Sequence, residues 1–156
     1  MDKQNEPRPG EAVNSTPDKT ESRDENAAAH DVIELRPFVF SAKVLQHGRH
    51  PANARRMEQP DAHAIKVGWC GEVMEMYLRL DGDCIAEASF WADGCLSTMA
   101  CGDMLTTMAA GKSLADAAAI TPEQLIAALD GLPFKSHHCA ELSVETLQEA
   151  IARCGG

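Results

Sequence analysis

Aromatic residues make up only 4% of this 156-residue chain, so any core must be built from Leu, Ile, Val, Ala and Met. The overall apolar share, 44%, is enough for one such core, and the length suits a single domain. Long hydrophobic runs are missing. None approaches the roughly 18 residues of a membrane span, so no membrane partner is expected. An excess of basic residues is missing too. The net charge of −10 argues against a nucleic-acid binder, which needs a basic face, and against docking to an anionic bilayer. The opening stretch MDKQNEPRPGEAVNSTPDKT carries no apolar export signal, so a cytoplasmic location is expected. Tight CxxC pairs are absent among the six cysteines, so cysteine spacing alone is a weak signal. We find no internal repeat.

Residues 1–34 stand apart. They hold nine acidic against four basic residues and no aromatic. Such a stretch cannot bury enough surface to offset its ordering entropy, and it reads as a disordered acidic tail with room for a short helix around Asn26–Leu35. Composition changes near Pro37, and residues 35–156 read as the folded domain. Phe38, Phe40, Val44 and Leu45 predict an amphipathic helix ending near Gly48. Residues 52–62 are polar and read as a surface loop. Alternation predicts strands over His63–Trp69, Val73–Leu80 and Cys84–Trp91, the last two joined by an Asp81-Gly82-Asp83 turn. Met74, Met76, Leu78 and Leu80 share one face. On the next strand Ile85, Glu87 and Ser89 alternate with Cys84, Ala86, Ala88 and Phe90.

The stretch FWADGCLSTMACGDMLTTMAAG, Phe90 to Gly111, reads as a strand end, a glycine turn and a helix with Cys95 at its N-terminus. Ser113–Ala119 is helical. Thr121, Pro122 and Gln124 form an N-cap, N1 proline and capping box for a helix to about Asp130. Gly131-Leu132-Pro133 breaks it, and a last helix runs to about Cys154 with Val144, Leu147 and Ile151 as its apolar stripe. The order is α+β: an N-terminal helix, a three-stranded antiparallel sheet, then C-terminal helices.

Three cysteines fall at junctions that can meet at one end of such a domain. Cys70 lies in a glycine-flanked loop, Cys95 at a strand-to-helix turn, and Cys139 at a loop-to-helix turn after two histidines. Helix N-terminal N–H groups favour the thiolate of Cys95, the form that binds metals and attacks sulfur. A lone cysteine there would read as a small buried apolar residue. Glu72 adds a carboxylate and His138 an imidazole. Three thiolates with one such partner make a four-ligand set suited to tetrahedral zinc or an iron–sulfur cluster. The spacing is dispersed, with 24 residues between the first two cysteines and 43 between the next two. Cys84, Cys101 and Cys154 read as packing, His137 as a loop residue, and His47, His50 and His63 as solvated.

Four segments together carry a resemblance: VFSAKVLQHGRHPANARRM, WCGEVMEMYLRL, ASFWADGCLSTMAC followed by GKSLADAAAIT, and GLPFKSHHCAELSVETLQEAI. In this order and at these distances they resemble the NifU/IscU-like iron–sulfur cluster assembly scaffolds, from about Phe38 to Arg153. The resemblance implies a scaffold that builds a [2Fe-2S] or [4Fe-4S] cluster and passes it to apo iron–sulfur proteins, with a cysteine desulfurase as sulfur source. It implies Cys70, Cys95 and Cys139 as cluster thiolates and Glu72 and His138 as companion ligands. Cys139 is the implied persulfide acceptor, and zinc the implied occupant of the same ligands without a cluster. Two departures stand out. Glu72 is one methylene longer than the usual aspartate. Ser136 stands where the family has a lysine in the loop tied to chaperone recognition, so a chaperone partner is doubtful.

Competing readings remain open on the residues: a zinc-bound sulfur acceptor with sulfurtransferase-like activity beside a desulfurase, or the same fold used only for protein contacts. A Cys–His protease is excluded, since adjacent His138 and Cys139 lack the sequence-distant pairing such catalysis uses.

Overall fold

The computed structural model describes residues 39–154. The acidic tail and the short helix expected around Asn26–Leu35 lie outside the described residues.

The first helix, α1 (Ala42–Arg49), starts later than the apolar pattern from Phe38 predicts. Ser41 explains the start: its backbone is extended, and its Oγ accepts from the Val44 N–H at 3.0 Å. The same hydroxyl donates to the Leu129 carbonyl, tying the helix entry to the far end of the domain. Gly48 lets α1 lie close to the helix that begins at Leu96, because a Cβ there would sit 2.9 Å from the Leu96 carbonyl.

Three strands follow, β1 (Ala62–Val67), β2 (Val73–Asp81) and β3 (Cys84–Asp93), paired antiparallel in that order. Their register sets Ala64, Met76 and Phe90 side by side across the sheet. These three are fully buried, as are Met74, Leu78 and Ile85. One expectation fails at Ile85. Simple alternation puts it with Glu87 and Ser89, but a bulge between Arg79 and Leu80 sets Leu80 against Ile85 and Arg79 against Glu87. The extra residue on β3 resets the parity and returns Ile85 to the core face.

Four further helices follow the sheet: α2 (Leu96–Ala109), α3 (Leu114–Ala118), α4 (Pro122–Ala128) and α5 (His137–Cys154). The capping box of Thr121 and Gln124 forms as the sequence predicts. Helices α2 and α5 close the apolar face of the sheet through Ala100, Leu105, Ala109, Leu142, Val144 and Leu147, one continuous cluster with the strand residues above. Gly102 permits this closeness: a Cβ on it would meet the buried Phe90 ring at 2.5 Å.

The opposite sheet face is not simply wet. Residues 52–62, expected to be a surface loop, are pinned along the β3 edge and over this face. Asn53 accepts from the Phe90 N–H and gives its own N–H to Asp103. Arg56 stacks 4.1 Å over the Trp91 ring and pairs with Glu75, which also accepts from the Tyr77 hydroxyl. His63, expected to be solvated, stacks on Tyr77 with ring centroids 4.5 Å apart. His47, expected to be solvated too, lies 2.6 Å from the buried Asp103 carboxylate. An acid sealed in by packing needs partners, and the sequence places these two residues 56 positions apart.

Candidate metal centre

Local chain geometry brings the three expected cysteines to one end of the sheet. Between β1 and β2 the chain folds tightly: Gly71 N–H donates to Gly68 O, and Gly68 N–H to Glu72 O. Gly71 takes φ +91°, a conformation open to glycine, and this leaves Cys70 at the exposed tip. Cys95 is the N-cap of α2, with extended backbone. Cys139 enters in the first turn of α5, wholly buried, with His138 beside it.

The donor atoms of Cys70, Glu72 and His138 lie within 4.8 Å of one another. His138 Nε2 is 2.9 Å from Glu72 Oε2. Cys139 Sγ sits beneath this pair, 3.9 Å from Glu72 Oε2 and 3.7 Å from His138 Nε2. Cys95 joins from the other side. Its Sγ is 3.6 Å from the Thr98 hydroxyl, which is in turn 3.5 Å from Cys139 Sγ. A cavity of about 450 Å³ opens between them, lined by Cys70, Glu72, Cys95, Thr98 and His138. Gly94 lies in its wall. Trp69, almost fully exposed, leans over the His138 ring at 5.2 Å.

The thiols are electrostatically unlike. Burial pushes the Cys95 thiol up, but the Thr98 hydroxyl and the N–H groups of Thr98 and Ser97 outweigh it and hold the group below its ordinary value. Cys139 is pushed up to about 12, by burial first and by Cys95 and Glu72 besides, against the pull of Thr98. Partial desolvation, Glu72 and Cys95 push Cys70 up. Acidic groups that raise one another's pKa in this way are relieved by a cation, which displaces their protons. Glu72 Oε1 adds a second sign of fit: it is buried and has no hydrogen-bond partner among the described residues. The donor set of thiols, imidazole and carboxylate suits zinc, or iron with sulfide.

Glu72 reaches this position by its extra methylene and by Gly68. A Cβ at residue 68 would lie 2.6 Å from Glu72 Oε1. All five expected ligand residues therefore gather at one end. Cys101 is buried, as expected, and Cys154 half-buried, but Cys84 is exposed at the start of β3 rather than packed. His137 lies 2.9 Å from the Leu132 carbonyl and is turned to the loop. Ser136 takes a hydrogen bond from the buried Ser97 at 2.9 Å, fixing the segment before Cys139 to α2. Sequence reading missed Thr98. Its signal was position alone, three residues after Cys95 on a helix, where side chains turn back over the cap.

Residues 39–155 match the NifU-like N terminal domain. The iron-sulfur cluster assembly scaffold protein IscU 1 of Archaeoglobus fulgidus is 32% identical over 114 residues, covering 72% of this chain and 74% of that protein. The iron-sulfur cluster assembly scaffold protein IscU of Haemophilus influenzae is 32% identical over 120 residues, covering 74% of this chain and 94% of its own. The crystal structure of a nitrogen-fixing NifU-like protein (N-terminal) from Brucella abortus superposes with a TM-score of 0.60 over 74% of this chain and 93% of that one, at 14% identity, a likeness of fold.

Proposed function

This chain belongs to the NifU-like N-terminal domain family, and from that premise we propose that it is a scaffold for iron–sulfur cluster assembly. On this reading residues 35–156 form the scaffold domain. Iron and sulfide are its cargo, held by Cys70, Cys95 and Cys139 and handed on to apo iron–sulfur proteins. The observation that carries the reading is one open cavity lined by Cys70, Cys95, Glu72 and His138, with Cys139 directly beneath the Glu72–His138 pair and a Glu72 oxygen left without a partner among the described residues. The relatives named as scaffold proteins support it.

Each residue has a part. Cys70 at the exposed turn and Cys95 at the helix cap meet iron first, because both line the cavity. Glu72 and His138 close over Cys139, and an incoming ion replaces their mutual contact. Such mixed ligation suits a transient holder, since an imidazole or carboxylate exchanges more readily than a third or fourth thiolate. Sulfur arrives from a cysteine desulfurase. Once Glu72 and His138 have parted and the Cys139 proton has passed to solvent, the Cys139 thiolate attacks the outer sulfur of the donor's persulfide, the donor's S–S bond breaks, and the donor leaves as a thiolate while Cys139 carries the persulfide. Two electrons from a separate donor then convert that sulfur to sulfide. The chemistry asks for a reducing compartment, consistent with a cytoplasmic setting and with six free thiols. No described helix is long and apolar enough to cross a membrane.

A second reading has its own support. Donor atoms of Cys70, Glu72 and His138 within 4.8 Å would also hold one zinc ion, with Cys95 or Cys139 as the fourth ligand. Zinc would then lock the site while Cys139 takes sulfur from the desulfurase.

The deciding experiment is anaerobic reconstitution of the full chain with ferrous iron, cysteine and a desulfurase. Visible charge-transfer absorption with matched iron and sulfide, transferable to an apo-ferredoxin, is the expected result. A colourless protein with one zinc before and after would overturn the scaffold reading in favour of sulfur acceptance.

A further inference from the structure

Thr98 is wholly buried, yet its hydroxyl faces two sulfurs, Cys95 Sγ at 3.6 Å and Cys139 Sγ at 3.5 Å. The place is made for it. Thr98 follows Cys95 by three residues on α2, so its side chain turns back toward the cap. A Cβ on Gly94 would lie 2.7 Å from the Thr98 oxygen, so the glycine before the cysteine leaves the room this hydroxyl fills. Valine would occupy the same volume without a polar atom. A hydroxyl sealed in at such a point costs stability unless it is bonded, and the nearest partners are the two ligand sulfurs.

We propose that Thr98 is a positioning residue of this centre: its hydroxyl spans the sulfurs of Cys95 and Cys139, donates to Cys139 when both are bound to metal, and thereby strengthens retention and raises the reduction potential of an assembled cluster. The inference rests on the scaffold reading for its cluster arm. The direction of donation follows from the surroundings. Cys95 already faces the N–H groups of Ser97 and Thr98 at the helix start. The neighbours of Cys139 Sγ are the Thr98 hydroxyl at 3.5 Å, Glu72 and His138, and the last two turn to the ion once one enters, which leaves the hydroxyl as the donor beside this sulfur. The single hydroxyl proton therefore goes to Cys139. A hydrogen bond to a ligating sulfur withdraws electron density from it, which makes the reduced state easier to reach and shifts thiolate-to-metal charge transfer to higher energy.

The test compares Thr98→Val, which deletes the donor and keeps the shape, with Thr98→Ser, which keeps the donor. Full-length protein is loaded with Co2+ in one arm and with ferrous iron and sulfide in the other. Thr98→Val is expected to move the thiolate-to-cobalt band to lower energy, weaken Co2+ binding by about tenfold, and make the cluster's midpoint potential more negative. Thr98→Ser is expected to restore all three. Identical bands and potentials in Thr98→Val and the parent overturn the proposal. So does a Thr98→Ser protein that behaves like Thr98→Val, because shape rather than the hydroxyl would then matter. If Thr98→Val does not fold, Thr98→Ala, which needs no added room, is read by the same outcomes. A chain that binds Co2+ but builds no cluster overturns the scaffold reading, while its cobalt band still decides Thr98. A chain that binds neither overturns both.

Discussion

Glu72 Oε2 lies 2.9 Å from His138 Nε2, and together they roof the buried sulfur of Cys139. The two residues come from the first position before β2 and the first turn of α5, 66 positions apart in sequence. Their contact closes the deepest thiol of the centre from solvent when no metal is bound. It also defines what metal entry must break, since the oxygen and nitrogen that meet each other are the atoms that would meet an ion.

Shortening the roof tests this directly. Glu72→Asp draws the carboxylate back by about one C–C bond, roughly 1.5 Å. The contact with His138 is then lost, and the space beside Gly68 that the Glu72 side chain fills falls empty. Zinc or cobalt should leave the variant faster, on the order of tenfold in a chelator-driven release assay. Equal release rates in the two proteins would show that Glu72 takes no part in holding the ion.

Thiol chemistry should divide the cysteines in the metal-free protein. Cys95 is exposed and held below an ordinary thiol by the Thr98 hydroxyl and the N–H groups at the start of α2 despite partial desolvation, whereas Cys139 is buried and pushed up to about 12. Timed alkylation at neutral pH, followed by peptide mass mapping, should label Cys95 well before Cys139. Glu72→Ala removes part of the roof over Cys139 and one negative neighbour, so it should narrow the gap. Early labelling of Cys139 in the parent protein would contradict the closed arrangement.

Most of the fold is legible in local sequence because its signals are local. The Thr121-Pro122-Gln124 cap and the Gly82 turn each act within a few residues, and each forms as read, whereas the alternation of β2 places its residues but not their burial, since Glu75 and Tyr77 on the second face are buried too. The convergence of Cys70, Cys95 and Cys139, the proposed ligands, is foreshadowed for the same reason: each sits at a glycine turn or helix start. What sequence patterns do not carry is pairing over distance. The bulge that turns Ile85 inward depends on β2 as well as β3. The burial of Asp103 against His47, and of Glu75 against Arg56 and Tyr77, depends on a loop whose polar composition suggested solvent. Thr98 has meaning only once Cys139 arrives from 41 residues away.

Helix α2 can approach β3 because residue 102 is glycine. In Gly102→Ala the new methyl would lie 2.5 Å from a Phe90 ring that is fully buried and has no space to move into. Overpacking of this kind costs about 1–3 kcal/mol, and the better helix propensity of alanine returns about 1 kcal/mol. The net effect should be a lower melting temperature of the metal-free domain. The double variant Gly102→Ala with Phe90→Leu should recover part of the loss by giving the methyl room. An unchanged or higher melting temperature in the single variant would mean that α2 shifts freely, against the close packing described.

Cys139 should also make the metal-free domain sensitive to alkali. Its thiol carries a folded pKa of about 12, above the ordinary thiol value near 9 that applies once the chain unfolds. The folded state thus holds the proton more tightly. Its contribution to stability is fully present below pH 9 and is lost progressively as pH rises from there toward 12, because the unfolded chain gives up the proton first. The full span corresponds to a few kcal/mol, on the order of 1.4 kcal/mol per pH unit. Chemical denaturation of the metal-free protein at pH 8 and pH 10.5 should show a fall in stability. Cys139→Ser, whose hydroxyl does not ionise in this range, should reduce that fall without abolishing it, because burial pushes the Cys101 thiol well up too. Parallel pH dependences for the two proteins would place the alkaline sensitivity on another group and deny that the buried Cys139 thiol is so strongly held in its protonated form.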